Sequence, residues 1–295
     1  MNARRRASSS PRRSADDRQR GDPDPDLLRD LALATAREAG DLILRLRTEG
    51  VEVAGTKSSE IDIVTRADQA AEALVRQRLL DARPDDGIVG EEGAALPGAS
   101  GVVWIVDPID GTVNYLYGHP HFAVSIAAEV DGQVVAGVVL APALGLEYVA
   151  TLGGGATCNG RPVHPRPRVP MAERLVATGF SYEQPARARA AGYIARLLPE
   201  IRDLRRLGSC ALDLCGVAAG TLDAYVEEGA HIWDHAAAGL VVLEAGGILE
   251  VTRSPGEKRL LICAPYGGFA EFREAVVRAG FVGGEGPDIA PVTGE

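Results

Sequence analysis

The stretch WIVDPIDGTVN, at residues 104–114, joins a predicted strand to two acids and a turn. The apolar run from Val102 to Val106 predicts a strand that ends at Asp107. The proline that follows has no N–H group, and Gly111 permits a tight turn, so Asp107 and Asp110 can converge on one point. Taken alone, a segment of this kind is most often a solvated turn. Its interpretation therefore depends on acids elsewhere in the chain.

Three further segments place acids at a predicted strand end or helix start. They are Asp68 in VTRADQ, Glu91 and Glu92 in IVGEEG, and Asp234 in WDHAAAG. Each has an ordinary alternative: Asp68 can form a helix capping box with Thr65, Asp234 can cap the next helix, and the glutamates can be a charged loop. Carboxylates gathered in one place repel one another, and hard cations such as Mg²⁺ prefer oxygen ligands. The joint occurrence of these acids therefore predicts a metal site.

Gly111 and Thr112 follow the first two acids at a turn that opens a predicted helix. Backbone N–H groups at such a turn can hold a phosphate oxygen, and Thr112 adds a hydroxyl beside the metals. An ordinary turn residue that caps the helix is the alternative. The segment is thus a candidate phosphate site.

Other chemistries fit the sequence less well. His231 and His235 are four residues apart, but a cap at Asp234 leaves His231 outside the helix, which disfavours zinc. The chain lacks the glycine-rich phosphate loop GxxxxGK[ST], the dinucleotide motif GxGxxG and the nucleophile elbow GxSxG. Nucleotide binding and serine hydrolysis are therefore disfavoured.

The charge of the chain is unevenly distributed. The 295 residues carry a net charge of −10, whereas the first 20 residues hold seven arginines and two aspartates, so the remainder carries about −15. This acidity argues against a general polyanion-binding surface, and a phosphate substrate would need bound cations. The Arg- and Ser-rich segment 1–23 predicts a disordered tail, with nucleic-acid or membrane contact as the minority alternative.

Composition also predicts the compartment. No stretch approaches the roughly 20 apolar residues of a membrane-spanning helix, and the N-terminus lacks the apolar core of a secretory signal. The chain has no C-x-x-C pair, which predicts reduced thiols in a soluble, cytoplasmic protein. The four cysteines are Cys158, Cys210, Cys215 and Cys263.

Periodicity predicts two parts of different organisation. Helices are expected over 24–50 and 66–82, followed by strands with hairpin turns at 131–132 and 159–160, which favours one antiparallel-rich sheet. After Pro165, strands and helices alternate. The predicted parts are a tail at 1–23, an N-terminal α+β half at 24–165 with most metal ligands, a C-terminal α/β half at 166–282 with substrate contacts and Asp234, and a flexible tail at 283–295.

Read together, these segments resemble the inositol monophosphatase family from about Leu27 to Gly280. The resemblance rests on the blocks at 57–59, 62–68, 90–92, 104–114 and 233–239, of which DPIDGTVN is highly specific. It implies a five-layered αβαβα sandwich of the sugar-phosphatase type, usually a homodimer. Cys210 departs from a common alanine, Val113 replaces a frequent threonine, and the Arg-rich N-terminus has no counterpart in the family.

The resemblance also implies metal ligands residue by residue. Glu91, Asp107 and the Ile109 carbonyl would hold one Mg²⁺ ion. Asp107, Asp110 and Asp234 would hold a second, and Glu91 would help a weaker third. Mn²⁺ is the alternative cation.

Catalytic and substrate roles follow from the same resemblance. Asp68 and Thr112 would orient the attacking water, with Glu91 nearby as an acceptor. The phosphate contacts would be Gly111 and Thr112. The substrate contacts would be Asp110, Gly208, Ser209, Cys210, Glu227 and Asp234.

The implied activity is a lithium-sensitive, Mg²⁺-dependent phosphatase acting on inositol monophosphate or a similar polyol or sugar phosphate. Histidinol phosphate, fructose 1,6-bisphosphate and 3′-phosphoadenosine 5′-phosphate are the alternative substrates. A neutral polyol is favoured because Glu227 can accept hydrogen bonds from hydroxyls but would repel a second phosphate. A metal-binding or RNA-associated regulatory protein without turnover is the alternative from another class, disfavoured because every ligand position is filled.

Overall fold

A computed structural model describes residues 23–57 and 62–283, so the predicted tails lie almost wholly outside the described residues, as do Ser58 and Ser59. The helices are α1 (Pro25–Glu49), α2 (Arg66–Ala82), α3 (Thr112–Tyr117), α4 (Gln184–Leu197), α5 (Cys210–Ala218), α6 (Ile232–Ala245) and α7 (Phe269–Ala279). The strands are β1 (Val53–Thr56), β2 (Ile63–Thr65), β3 (Gly87–Gly90), β4 (Val102–Asp110), β5 (Ala123–Val130), β6 (Gln133–Ala141), β7 (Leu146–Thr151), β8 (Gly155–Cys158), β9 (Arg161–Pro162), β10 (Leu175–Thr178), β11 (Asp203–Arg205), β12 (Ala224–Glu228), β13 (Gly247–Arg253) and β14 (Arg259–Pro265).

Two large sheets organise the described chain. The first has the order β3-β4-β5-β6-β7-β8-β9 and is antiparallel except where β3 runs parallel to β4. The second has the order β11-β10-β12-β14-β13, with β10 parallel to both neighbours. The first sheet ends at Pro162 and the second begins at Leu175, while the division into two halves near Pro165 stays a prediction.

Helices and sheets alternate in five layers, which confirms the predicted α/β sandwich. Helices α1 and α2 pack on one face of the first sheet, and α5 and α6 fill the space between the two sheets. Helices α4 and α7 cover the outer face of the second sheet. None of the described helices is long and apolar enough to span a bilayer.

Local sequence explains the ends of α1. Asp24 caps the helix by accepting the N–H of Asp26 at 2.9 Å, and Gly50 ends it at φ +115°. Small residues such as Ala32 and Ala36 form much of the buried stripe of α1, whereas Leu31 and Leu42 are only partly buried. Small residues let the helix approach the strands closely.

The predicted hairpin turns are present. Asp131-Gly132 and Asn159-Gly160 have positive φ at both positions, as a two-residue hairpin turn requires. The helix expected over 66–82 is α2, with the expected bounds. The strands that sequence periodicity missed are too short to show a pattern; they are β1, β2, β8, β9 and β11.

Asp86 stabilises the β3–β4 edge of the first sheet. Its carboxylate accepts the indole N–H of Trp104 at 2.9 Å and the hydroxyl of Ser100 at 2.6 Å, and it pairs with Arg83. Trp104 is fully buried on β4, the strand that carries two of the predicted site acids. The hydrogen bonds of Asp86 therefore support the strand that positions the site.

We expect Asp86→Ala to lower the free energy of unfolding by about 3 kcal/mol, because it leaves the buried Trp104 indole N–H without a partner. Urea denaturation monitored by tryptophan fluorescence measures this loss. The control Asp30→Ala removes an exposed acid of α1 and should change stability by about 0.5 kcal/mol or less. Equal losses in the two variants would contradict the role given to Asp86.

Candidate active site

A cavity of about 570 Å³ is lined by both sheet-forming parts of the chain. Asp107 and Asp110 reach it from β4, whereas Glu227 and Asp234 reach it from β12 and α6. Asp68 lies outside the lining and contacts it through Thr112. The other predicted site residues all line the cavity: Glu91, Asp107, Ile109, Asp110, Gly111, Thr112, Gly208, Ser209, Cys210, Glu227 and Asp234.

The predicted strand end at Asp107 is wrong. Strand β4 continues to Asp110, and its pairing with β5 shifts register between Asp107, opposite Ser125, and Asp110, opposite Ala123. A bulge of this kind accommodates a proline that cannot donate to the ladder and re-aims the side chains on either side. Asp107 and Asp110 therefore reach the same cavity from a bulged strand rather than from a turn after it.

Asp110 ties β4 to the start of α5. Its carboxylate accepts the hydroxyl of Ser209 at 2.5 Å and the backbone N–H of Ala211 at 2.7 Å. Ser209 is also the cap of α5 and accepts the N–H of Leu212 at 3.2 Å. The segment predicted to contact the substrate is thus held by an acid about 100 residues earlier in the chain.

Gly111 is required by close packing at this junction. Its φ of +100° is strained for other residues, and a Cβ atom there would lie 2.9 Å from the backbone oxygen of His121 and 3.1 Å from that of Gly208. As predicted, Gly111 precedes a helix, α3, which begins at Thr112.

Asp68 forms the capping box weighed for it and also contacts Thr112. It forms the capping box of α2 by accepting the N–H of Thr65 at 2.7 Å. Its other carboxylate oxygen lies 3.0 Å from the hydroxyl of Thr112, which is also 3.0 Å from the Ile109 carbonyl and can donate to only one of them at a time. Burial raises the pKa of Asp68 despite these hydrogen bonds.

Lys57 is a cation at the site for which sequence reasoning gave no role. Its ammonium lies 2.7 Å from Glu91 and also contacts Glu92. Burial lowers the pKa of Lys57, but the two carboxylates more than offset it and the net change is upward. Burial raises the pKa of Glu92 to about 7 although Lys57 opposes that shift. Lys57 therefore neutralises part of the charge of the loop that carries Glu91 and Glu92.

Glu72 is a second residue that sequence reasoning missed. It is buried on α2, and its carboxylate accepts the N–H groups of Glu92 and Gly93, both at 2.7 Å. Arg76 pairs with the same carboxylate at 2.8 Å and donates to the Ala94 carbonyl. Glu72 follows Asp68 by about one helical turn, and this spacing is the signal that could have revealed Glu72. Glu72 holds the loop that carries Glu91.

The predicted cap at Asp234 is wrong by three residues. His231 is the cap of α6, and Asp234 is the third residue of the helix, where it accepts the His231 N–H at 2.7 Å. This geometry leaves one face of the carboxylate toward the cavity, which Asp234 lines. His231 stacks on Trp233 with ring centroids 4.8 Å apart, while His235 is buried outside the cavity lining.

The acids of the cavity repel one another. Burial raises the pKa of Asp107 well above its ordinary value, and the charges of Glu91, Asp110 and Asp234 add to the rise. Burial likewise raises the pKa of Asp234, with Asp110 as the next cause. These upward pKa shifts indicate that the acids lie within electrostatic reach of one another. They also indicate that the negative charge of the cavity is under-compensated.

The donor set suits a hard cation, since it consists of carboxylates and the Ile109 carbonyl. Within residues 23–57 and 62–283, no three Asp, Glu, His or Cys side chains are placed so that together they could hold a metal ion. Instead, Asp110 is hydrogen-bonded by Ser209, and Lys57 lies on Glu91. The chemistry of the donors and their mutual repulsion nevertheless fit a bound divalent cation.

A model of the inositol monophosphatase family matches residues 24–276. An inositol-1-monophosphatase, SuhB, from Mycobacterium tuberculosis is 42% identical over 272 residues, which cover 85% of this chain and 93% of that protein. A Nus factor SuhB from Pseudomonas aeruginosa is 38% identical over 226 residues, which cover 74% of this chain and 83% of that protein.

Solved structures agree with the sequence matches. The structure of Mycobacterium tuberculosis SuhB superposes with a TM-score of 0.77 at 38% identity, covering 88% of this chain and 100% of that chain. An IMPase from Thermotoga maritima superposes with a TM-score of 0.76 at 31% identity, covering 86% and 98%. With the acidic cavity, these matches define an α/β-sandwich phosphatase. The chain belongs to the inositol monophosphatase family, whose members are generally metal-dependent.

The raised pKa values predict an unusual pH dependence of stability in chelator. Burial raises the pKa of Glu92 and of Asp110 to about 7, whereas unfolded carboxyls titrate near about 4. The folded state therefore binds more protons than the unfolded state between these values, and its stability falls as pH rises from about 4 through about 7. We expect the melting temperature in EDTA to fall between pH 5.5 and 8.

The control for this measurement is Asp110→Asn, which cannot ionise at that position and should flatten the pH profile. Added Mg²⁺ should flatten it as well, because a bound cation favours the ionised carboxylates. A melting temperature in EDTA that stays constant or rises over this pH range would contradict the electrostatic account of the site.

Proposed function

We propose that this phosphatase is Mg²⁺-dependent and hydrolyses inositol monophosphate, such as myo-inositol 1-phosphate, or a similar phosphorylated polyol. The observation that carries the proposal is the convergence of Asp107, Asp110 and Asp234 on one cavity, from parts of the chain more than 100 residues apart. Relatives that are 42% identical to this chain are named inositol-1-monophosphatases, which supports the substrate class.

Two cation positions follow from the proposed ligand set. Glu91, Asp107 and the Ile109 carbonyl would hold one Mg²⁺ ion, with Glu91 also serving a weaker third ion. Asp107, Asp110 and Asp234 would hold the other, and Mn²⁺ could replace Mg²⁺. Bound divalent ions lower the pKa of water and neutralise phosphate oxygens.

Thr112 and Asp68 are the proposed positioning pair for the attacking water. When the Thr112 hydroxyl donates to Asp68, its oxygen lone pairs are left to accept a hydrogen bond from water. Glu91 is the other proposed acceptor for that water. The backbone N–H groups of Gly111 and Thr112 would hold the phosphate and meet its increasing negative charge.

The polyol end of the cavity is formed by Glu227, Ser209 and their neighbours. Glu227 is partly buried and receives a hydrogen bond from the Tyr225 hydroxyl. A second carboxylate, Asp213, lines the same cavity, and Arg206 is the nearby cation. The acidic balance supports a neutral polyol over a bisphosphate, because a second phosphate would be repelled.

Two further proposals concern the oligomeric state and the compartment of the protein. The family resemblance supports a homodimer. The four cysteines are all free thiols in the structure, which supports a reducing, cytoplasmic compartment.

A substrate panel tests the proposed activity. Phosphate release is measured for myo-inositol 1-phosphate, histidinol phosphate, fructose 1,6-bisphosphate and 3′-phosphoadenosine 5′-phosphate, each in Mg²⁺ and in EDTA. We expect the highest kcat/KM for the inositol ester, loss of turnover in EDTA, and inhibition by millimolar Li⁺. Preference for a bisphosphate, or undiminished turnover in EDTA, would contradict the proposal.

Asp110→Asn tests the ligand assignment. We expect kcat to fall by about 100-fold or more, because the proposed second cation loses one charged ligand while little volume changes. Circular dichroism and the melting temperature should show that the variant is folded. The exposed control Asp203→Asn should keep wild-type kinetics; wild-type kinetics in Asp110→Asn as well would refute the assignment.

A further inference from the structure

Asp213 is a buried acid of the cavity with an unpaired oxygen. It lies in the first turn of α5, directly after the segment Ser209 to Leu212, and it is 1% exposed. Its side chain lines the cavity, and its Oδ1 atom has no hydrogen-bond partner within the described chain. Buried polar atoms are nearly always hydrogen-bonded, so a carboxyl with an unpaired oxygen in a side chain that lines a cavity is available to a group that enters the cavity.

The residues around Asp213 do not supply that partner. The Tyr225 hydroxyl, a neutral donor within electrostatic reach of Asp213, is hydrogen-bonded to Glu227. Arg206 attracts the Asp213 carboxyl electrostatically but makes no hydrogen bond to it among the described contacts. The carboxyl is therefore left to interact with whatever occupies the cavity.

The charge around Asp213 determines which ligand group fits. Burial raises the pKa of Asp213 well above its ordinary value, and the charges of Glu227 and Asp110 raise it further. In its protonated form, which this shift favours, the carboxyl is a donor through its O–H and an acceptor through its carbonyl oxygen. A hydroxyl is likewise both donor and acceptor, so the two groups are complementary.

A purely structural role explains the buried position of Asp213 less well than contact with a ligand does. An acid in the first turn of a helix is favoured by the helix dipole, but an exposed acid gains that interaction without losing its hydration. Asp223, the buried acid that precedes β12, shows the structural alternative, because its carboxylate accepts the Leu175 N–H at 2.8 Å. Asp213 has no such bond.

We propose that Asp213 is a specificity-determining residue that binds a substrate hydroxyl remote from the phosphate, beside Glu227. The proposal rests on the proposed polyol phosphatase activity and extends it to a second hydroxyl contact. An ester without remote hydroxyls leaves this buried carboxyl unpaired in the complex, and sites built to hydrogen-bond a hydroxyl discriminate strongly against such analogues.

The test compares two esters with the same ring and phosphate. Myo-inositol 1-phosphate carries ring hydroxyls, and cyclohexyl phosphate carries none. The quantity measured is the hydroxyl preference, which is kcat/KM for myo-inositol 1-phosphate divided by kcat/KM for cyclohexyl phosphate. We expect Asp213→Ala to lower this preference about tenfold, mainly through a higher KM for the inositol ester. Asp213→Asn keeps both a donor and an acceptor and should retain the preference within about twofold.

Asp223→Ala is the matched control, since it also removes a buried acid of the same part of the chain. It should lower the melting temperature, because it leaves the Leu175 N–H unpaired, and it should keep the wild-type preference. Asp213→Ala should melt no lower than the wild-type protein, because no internal hydrogen bond is lost.

Three results would overturn the proposal for Asp213. The first is an unchanged hydroxyl preference in Asp213→Ala. The second is an equal loss of preference in Asp213→Asn, which would point to a cationic ligand group. The third is a wild-type enzyme that hydrolyses both esters without preference, which would leave the phosphatase activity standing. A wild-type enzyme that hydrolyses neither ester would instead refute the proposed function.

Discussion

Mutual repulsion among carboxylates in one poorly solvated cavity is the constraint on which the rest of the structure depends. The charges of Asp110 and Asp234 disfavour ionisation of the buried Asp107, and the charge of Asp110 disfavours ionisation of Asp234. The fold must hold these groups together against that repulsion. It does so with donors from the same chain, such as Ser209 on Asp110, and with Lys57 on the adjacent loop. The proposed binding of a divalent cation and, through it, of a phosphate ester depends on the residual negative charge.

That constraint explains why both sheets are needed for the site. The bulged end of β4 presents two acids, but the groups that compensate them come from the start of α5, in the layer between the sheets. Helix α2 stabilises the other side of the cavity through two contacts. Asp68 contacts Thr112, and Glu72 holds the loop that carries Glu91. Packing of the helices between and outside the sheets therefore sets the distances within the cavity, and stability and site geometry are coupled.

Much of the fold follows from local signals in the sequence. The caps of α1 and α2 and the two hairpin turns depend on a few neighbouring residues, so their positions could be predicted. The contacts of Glu72 are marked in the sequence only by its spacing from Asp68, because its backbone partners lie 20 and 21 positions away. Asp213 carries no local signal, because the cavity that it lines is assembled from separate segments of the chain. Short strands such as β1 and β11 are stabilised by pairing rather than by their own sequence, which is why periodicity missed them.

The two local errors at the site share a cause. A strand was expected to end at Asp107 because a proline follows, and a helix was expected to begin at Asp234 because an acid is a good cap. In the structure β4 absorbs the proline in a bulge, and α6 is capped by His231 so that Asp234 faces the cavity from inside the helix. In both places the backbone departs from the locally favoured arrangement in a way that brings an acid into the cavity. Such departures are expected where a fold serves a binding site rather than only its own stability.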